Sequence, residues 1–200
     1  MKKHADKIKN REISWSCISS FRYNPVEWAK KYLEDIQTPP NSEMEFGNVI
    51  GRKIASDPKF LPAISPRYKV YEKALKSSIG SIKLVSYLDN FDPETYNFDE
   101  YKTSSNVKKW TQKSAEEHQQ IEFYYLMLWL CYGVTPEKIK VKLWYIPVEK
   151  SASFEMKLSN APIQSFPIQK TTMDILKFGN YIKQTHKEMV KYAQKYRGSI

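Results

Sequence analysis

The stretch FYYLMLWLCYGV, Phe123 to Val134, carries no charged side chain from end to end. A helix that is apolar on every side has to be buried on every side. It falls short of the ~20 apolar residues that cross a bilayer. Whatever fold the chain adopts must therefore wrap other elements around this segment. The longer run SAEEHQQIEFYYLMLWLCYG reads as one helix, with Gly133 at the position of a left-handed C-terminal cap.

The wrapping elements are of two kinds. IKLVSYL from Ile82 and YNFDEYKT to Thr103 read as strands joined by the turn DNFDPET. KIKVKLWYIPV sets Ile139, Val141, Leu143 and Tyr145 against Lys140, Lys142 and Trp144, the two-residue period of a strand. FEMKL, ending at Leu158, reads as one more short strand. SWSCISSFRYNPVEWAKKYL predicts a helix, a break at Asn24-Pro25 and a second helix, with Ser16 or Ser19 as N-cap and Pro25 in the second helix's first turn. EMEFGNVIGRKIASDP places Phe46, Val49, Ile50 and Ile54 at helical spacing. PKFLPAISPRY reads as a loop, and a long helix with a weak point at Gly179 closes the chain. This order predicts one α/β domain over residues 1–200, a small mixed β-sheet flanked by helices, with residues 1–12 a flexible lead-in.

With 41% apolar and 27% charged residues, the composition is that of an ordinary globular protein. Cys17 and Cys131 have no CxxC spacing, which argues against a zinc ribbon or an iron–sulfur cluster and predicts two buried free thiols. MKKHADKIKNREISWS lacks the apolar core of a secretory signal, so a cytoplasmic, membrane-free protein is expected. Lysine and arginine total 32 against 22 acidic residues, for a net charge of +10. Such a balance favours an anionic partner, most commonly nucleic acid. The lysines are spread along the chain, and a merely solvated basic surface is the alternative.

Against that balance, YLDNFDPETYNFDEYKTS gathers Asp89, Asp92, Glu94, Asp99 and Glu100 around a single lysine, Lys102. Residues two apart on a strand face the same way. Phe98, Glu100 and Lys102 then share one face, Asp99 and Tyr101 the other, and Val85, Tyr87 and Asp89 share a face of the preceding strand. Pairing the two strands as a hairpin brings Asp89 close to Glu100. Adjacent carboxylates repel until a proton or a hard cation relieves them, and such oxygen donors suit Mg²⁺ or Mn²⁺. Lys102, one strand step from Glu100, would orient or help deprotonate a water attacking a phosphodiester. The alternative is an exposed acidic hairpin, with Asp92, Glu94 and Asp99 as turn and surface residues.

The same stretch resembles the core of PD-(D/E)XK nucleases of the RecB-like, phage-exonuclease branch, in which a strand ends in Asp and the next carries Asp/Glu-x-Lys. Asp89 matches the first acid, Glu100 the second and Lys102 the lysine. QQIEFYYLML resembles that branch's Gln-x-x-x-Tyr helix, with Gln120 and Tyr124 in the matching positions. SWSCISSFRYNPVEWAKKYL and MEFGNVIGRKI resemble its opening Ser-x-Ser segment and its glycine-containing helix. The resemblance implies a restriction-endonuclease-like core and an Mg²⁺- or Mn²⁺-dependent deoxyribonuclease, an exonuclease of phage-type recombination or repair, with DNA and phage recombination or replication proteins as partners. The catalytic set would be Asp89, Glu100, Lys102, Gln120 and Tyr124, and the metal ligands Asp89, Glu100 and the Tyr101 carbonyl. Ser16, Ser19, Lys108, Lys109 and Lys113 are candidates to contact DNA, with plain helix capping and solvation as their alternatives. Trp15, Trp28 and Trp110 read as core, and His118 as solvated.

One departure matters. The family helix often carries Gly-x-x-x-His or an acid as a further ligand. With Gly47 aligned, that place falls on Gly51, and Glu45 is a poor substitute. The rival reading is a nuclease fold that has lost competence and binds nucleic acid or serves as a scaffold.

Overall fold

The computed structural model describes residues 2–37, 39–64, 68, 70–106, 108–151 and 155–197. The apolar run forms α6 (Gln119–Tyr132), in which Ile121 and every residue from Phe123 to Leu128 are buried. Gly133 caps it at φ 68° and donates its N–H to Trp129 O, as its lack of a Cβ allows. The single helix expected here is interrupted at Glu117–His118. The residues ahead of the break form the short α5 (Gln112–Glu116), whose Thr111 and Ser114 cap it reciprocally.

The sheet runs β1 (Val70–Ile79), β2 (Ile82–Phe91), β3 (Phe98–Ser104), β4 (Val141–Lys150), with β5 (Met156–Leu158) and β6 (Gln164–Ile168) both pairing with β4. β1–β2 and β2–β3 are antiparallel, whereas β3–β4 is parallel, with α5 and α6 as the crossover. As the interior strand of that arrangement, β4 is buried on both faces, Trp144 included. β1 lay outside the sequence reading. Only Leu75 among its residues is fully buried, and the rest are half-buried or exposed, as suits an edge strand. β6 also escaped notice, and its Pro167 fits the outer strand of a sheet.

α6 lies on one face of the sheet, with α7 (Thr172–Lys195) behind it. Around them pack α1 (Lys2–Asn10), α2 (Trp15–Tyr23) and α3 (Pro25–Tyr32), which complete the main core. The expected flexible lead-in is thus helix α1, whose Ala5 and Ile8 are buried and which packs on α7. α2 is capped by Ser14, not Ser16 or Ser19, because Ser14 holds the extended backbone just ahead of the first helical turn. Asn24 caps α3 by accepting from Val26 N and Glu27 N. Trp28 and Trp110 are core, and Trp15 packs on Phe123 and Phe178. Cys17 is buried, and burial pushes its thiol up to about 11, but Cys131 is only half-buried because it sits in the last turn of α6.

The opposite face carries α4 (Ser42–Ser56), where Ile50 and Ile54 join Ile64, Trp144 and Ile146 in a second, smaller core. α4 lies directly against β3: a Cβ on Gly47 would stand 3.0 Å from Thr103 Oγ1. Gly47→Val is therefore expected to push α4 off the sheet and cost about 1–3 kcal/mol, the usual penalty of overpacking. Chemical denaturation measures it, and an unchanged midpoint would show that the helix has room to move.

Candidate active site

The site sits where β2 and β3 part. Their ladder pairs only Asn90 with Asp99 and Phe91 with Phe98. One step further, the Asp89 carboxylate replaces the backbone partner and accepts from Tyr101 N at 2.9 Å. The regular face expected for Val85, Tyr87 and Asp89 does not hold through this point. Leu84 and Leu88 face the main core, but so does Phe91, three residues on, so the alternation of β2 inverts between Leu88 and Phe91. Asp89 lies in that inversion, which lets it turn in between the strands.

Beside it Glu100 is buried to 1% exposure. Lys102 Nζ lies 2.5 Å from Glu100 Oε1 and donates to Gln120 Oε1 at 2.8 Å. Gln120 Nε2 in turn donates to the Tyr124 hydroxyl, one helical turn along α6. The residues Asp89, Glu100, Lys102, Gln120 and Tyr124 are thus one connected cluster. Glu100 Oε2 is buried and receives no hydrogen bond from a donor group; the Glu100 carboxyl lies within hydrogen-bond reach of the Asp89 carboxylate, so the pair needs a proton or a cation between them. Burial, reinforced by the charge on Asp89, pushes the Glu100 carboxyl up to about 8. Burial also raises Asp89. For Lys102, burial works against the ammonium, but the charges of Glu100 and Asp89 outweigh it and hold the group protonated.

These groups open onto a cavity of about 1190 Å³. α4 contributes Glu43, Gly47, Gly51 and Arg52 to its wall, β1 contributes Tyr71 and Glu72, and Tyr101 and Lys109 line it as well. Gly51 faces open space, with nothing within 4 Å of where its Cβ would be. Glu45 is exposed and does not line the cavity. Among the described residues, no three His, Cys, Asp or Glu side chains converge closely enough to hold a metal by themselves. What the site offers is two carboxylates side by side, one with a buried oxygen that no donor group reaches. That donor set fits a hard cation that keeps much of its own water.

No family model and no curated protein matches this chain. Among solved structures, a protein of Eubacterium rectale provisionally named an exonuclease superposes with a TM-score of 0.59 at 10% identity, over 95% of this chain and 84% of that one. SSO0001 superposes at 0.50 with 13% identity, over 100% of this chain and 86% of that one. A phage-related exonuclease from Haemophilus somnus 129PT reaches 0.49 at 15% identity, over 97% and 91%. The fold is restriction-endonuclease-like, a mixed sheet flanked by helices.

Within this nuclease-type fold, the remaining expected residues scatter. Lys109 lines the cavity, but Lys108 does not, and Lys113 stands on exposed α5, 3.9 Å from Glu117. Ser16 and Ser19 lie away from the cavity wall: Ser16 Oγ is 2.8 Å from Ser14 Oγ, and Ser19 Oγ donates to Ser16 O. His118 is half-buried rather than solvated, because the break before α6 turns it edge-on to the Trp110 ring at 5.1 Å. Burial pushes it down to about 4, so it is neutral at ordinary pH. Asp99 is not a surface residue either. It is 2% exposed, accepts from Asn90 Nδ2 at 3.2 Å, and burial pushes it up to about 6. Sequence reasoning missed Arg52 and Glu72. Arg52 directly follows Gly51 on a helix already singled out, and could have been found there. No local signal marks Glu72.

Proposed function

We propose that the chain is a divalent-cation-dependent nuclease that hydrolyses DNA phosphodiesters, with Asp89 and Glu100 holding Mg²⁺ or Mn²⁺. The observation that carries this reading is the buried Glu100 carboxyl set against that of Asp89, with Glu100 Oε2 reached by no donor group. Leaving such an oxygen unsatisfied costs about 1–3 kcal/mol or more, and a bound cation would recover it. The exonuclease name of the Eubacterium rectale structure that shares the fold supports the same chemistry by analogy.

When bound, the cation would supply Lewis-acid polarisation of a phosphoryl oxygen and charge neutralisation in the transition state. The chain's own residues do the rest. Asp89 and Glu100 would hold the cation at the open end of the β2–β3 ladder, with the Tyr101 carbonyl as the candidate backbone ligand. Lys102 carries a fixed positive charge, aimed by Gln120, at the place where negative charge develops on the phosphate. Tyr124 fixes the Gln120 amide and thereby Lys102. Arg52 and Lys109 line the cavity where the strand's phosphates would pass. An exonuclease of phage-type recombination or repair fits this reading. The experiment is cleavage of linear and circular DNA with Mg²⁺, Mn²⁺ or EDTA. Cation-dependent loss of linear DNA supports it, and intact DNA in every condition rejects it.

Gly51 favours a second reading, a fold that binds DNA without cutting it. The two part on Gly51→His. Open space at that position admits the side chain, so in a degenerate protein this change is expected to create cation-dependent cleavage absent from the wild type. In a competent nuclease it changes an existing rate. No cleavage from either protein would mean that only the fold is shared.

A further inference from the structure

Strand β1 carries a backbone feature that the site described so far does not use. Glu72 has φ 49°, and of the four non-glycine residues with positive φ among the described residues it alone lies within a strand. The β1–β2 register continues on both sides of it, from Tyr71 opposite Asn90 to Lys73 opposite Leu88, which sets Glu72 opposite Asp89. The side-chain alternation of β1 inverts here just as that of β2 does. Val70 and Leu75 both pack with the main core, while Tyr71 joins the smaller one. The two inversions lie side by side, one under Glu72 and one under Asp89. Glu72 is exposed, lines the cavity that holds Asp89 and Glu100, and adds its negative charge to the burial that raises Asp89.

We propose that Glu72 is the third acid of the cation site, supplied by strand β1 where helix α4 has only Gly51, and that it acts through the cation's water shell. Glu72 does not converge with Asp89 and Glu100 at direct-ligand distance. A carboxylate one water further out suits a small divalent ion, which gives up its waters reluctantly. The buried Glu100 Oε2 receives no hydrogen bond from a donor group, and its carboxyl lies against that of Asp89 on the same cavity wall, an acceptor pair that a cation would bridge. The left-handed backbone is the device that holds the side chain there. A glycine would take that conformation at no steric cost, and a strand has no need of it. Strained backbone of this kind persists where the position is used.

The inference rests on the nuclease reading's cation, and the test separates the two. Mn²⁺ binding to DNA-free protein is followed by the loss of the free-ion electron paramagnetic resonance signal, alongside the melting temperature of the metal-free protein. Glu72→Gln is expected to weaken Mn²⁺ binding by about 10–100-fold, the scale on which outer-sphere partners act. Glu72→Gly should weaken it equally while raising the metal-free melting temperature, because it relieves the backbone. A purely structural Glu72 cannot produce that opposition. If both variants bind Mn²⁺ as the wild type does while Asp89→Asn does not, Glu72 has no part in the site and the cation reading stands. If the wild type binds no Mn²⁺, the cation reading fails and this inference with it.

Discussion

Lys102→Ala is expected to lower single-turnover DNA cleavage by at least about 100-fold while changing DNA affinity little, the scale of lost acid–base or electrostatic help. The reason is where the ammonium stands. It lies 2.5 Å from Glu100 Oε1 and is aimed by Gln120, so its charge sits at the acids rather than along the outer path of a bound strand. A charge so placed contributes most when negative charge grows on the phosphate, and that is the transition state. Binding of a polyanion to a chain of net charge +10 is shared among many basic groups, so one lysine subtracts little. Mn²⁺ affinity should hold or rise, because the ammonium competes with the ion for Glu100. Equal losses in cleavage and DNA affinity would reduce Lys102 to one phosphate contact among several.

Glu100→Gln is expected to abolish cleavage and, in metal-free protein at pH 8, to raise stability. Two acids here face one lysine, so removing one acid balances the buried charge. The gain should be on the order of 1 kcal/mol, or about 2–4 °C in melting temperature for a chain of this size. Its pH dependence has a definite sign. The Glu100 carboxyl is pushed up to about 8 in the folded protein, against ~4.3 in an unfolded chain. Between those values the folded state holds a proton that the unfolded state has lost. The resulting stability is fully present below the lower value and declines as pH rises through the higher one. Melting curves from pH 5 to 9 in EDTA should therefore fall for the wild type and flatten for Glu100→Gln. Saturating Mn²⁺ should offset the wild-type loss at the alkaline end. A wild-type curve that rises with pH would contradict the buried-acid account.

Much of this arrangement could be read along the chain because it depends on short-range spacing. The two-residue period puts Glu100 and Lys102 on one face of β3, and a four-residue step puts Gln120 and Tyr124 on one face of α6. Gly133 announced its cap by type alone, and Pro25 announced the first turn of α3. What could not be read depends on neighbours distant in sequence. β1 is lysine- and serine-rich because it lies at the sheet edge, so its hydrophobic period is faint. Asp99 looks like a turn acid until Asn90 and the second core close over it. His118 looks solvated until a helix break sets it against Trp110. Glu72 acquires meaning only when the register places it opposite Asp89.

On this reading Asp89 and the buried Glu100 together hold a cation. Crystals grown with Mn²⁺ and measured at the manganese absorption edge test it most directly. An anomalous peak is predicted between Asp89 and Glu100, at about 2.1–2.5 Å from a carboxylate oxygen of each. No peak there at saturating Mn²⁺, with Lys102 still paired to Glu100, would contradict the account.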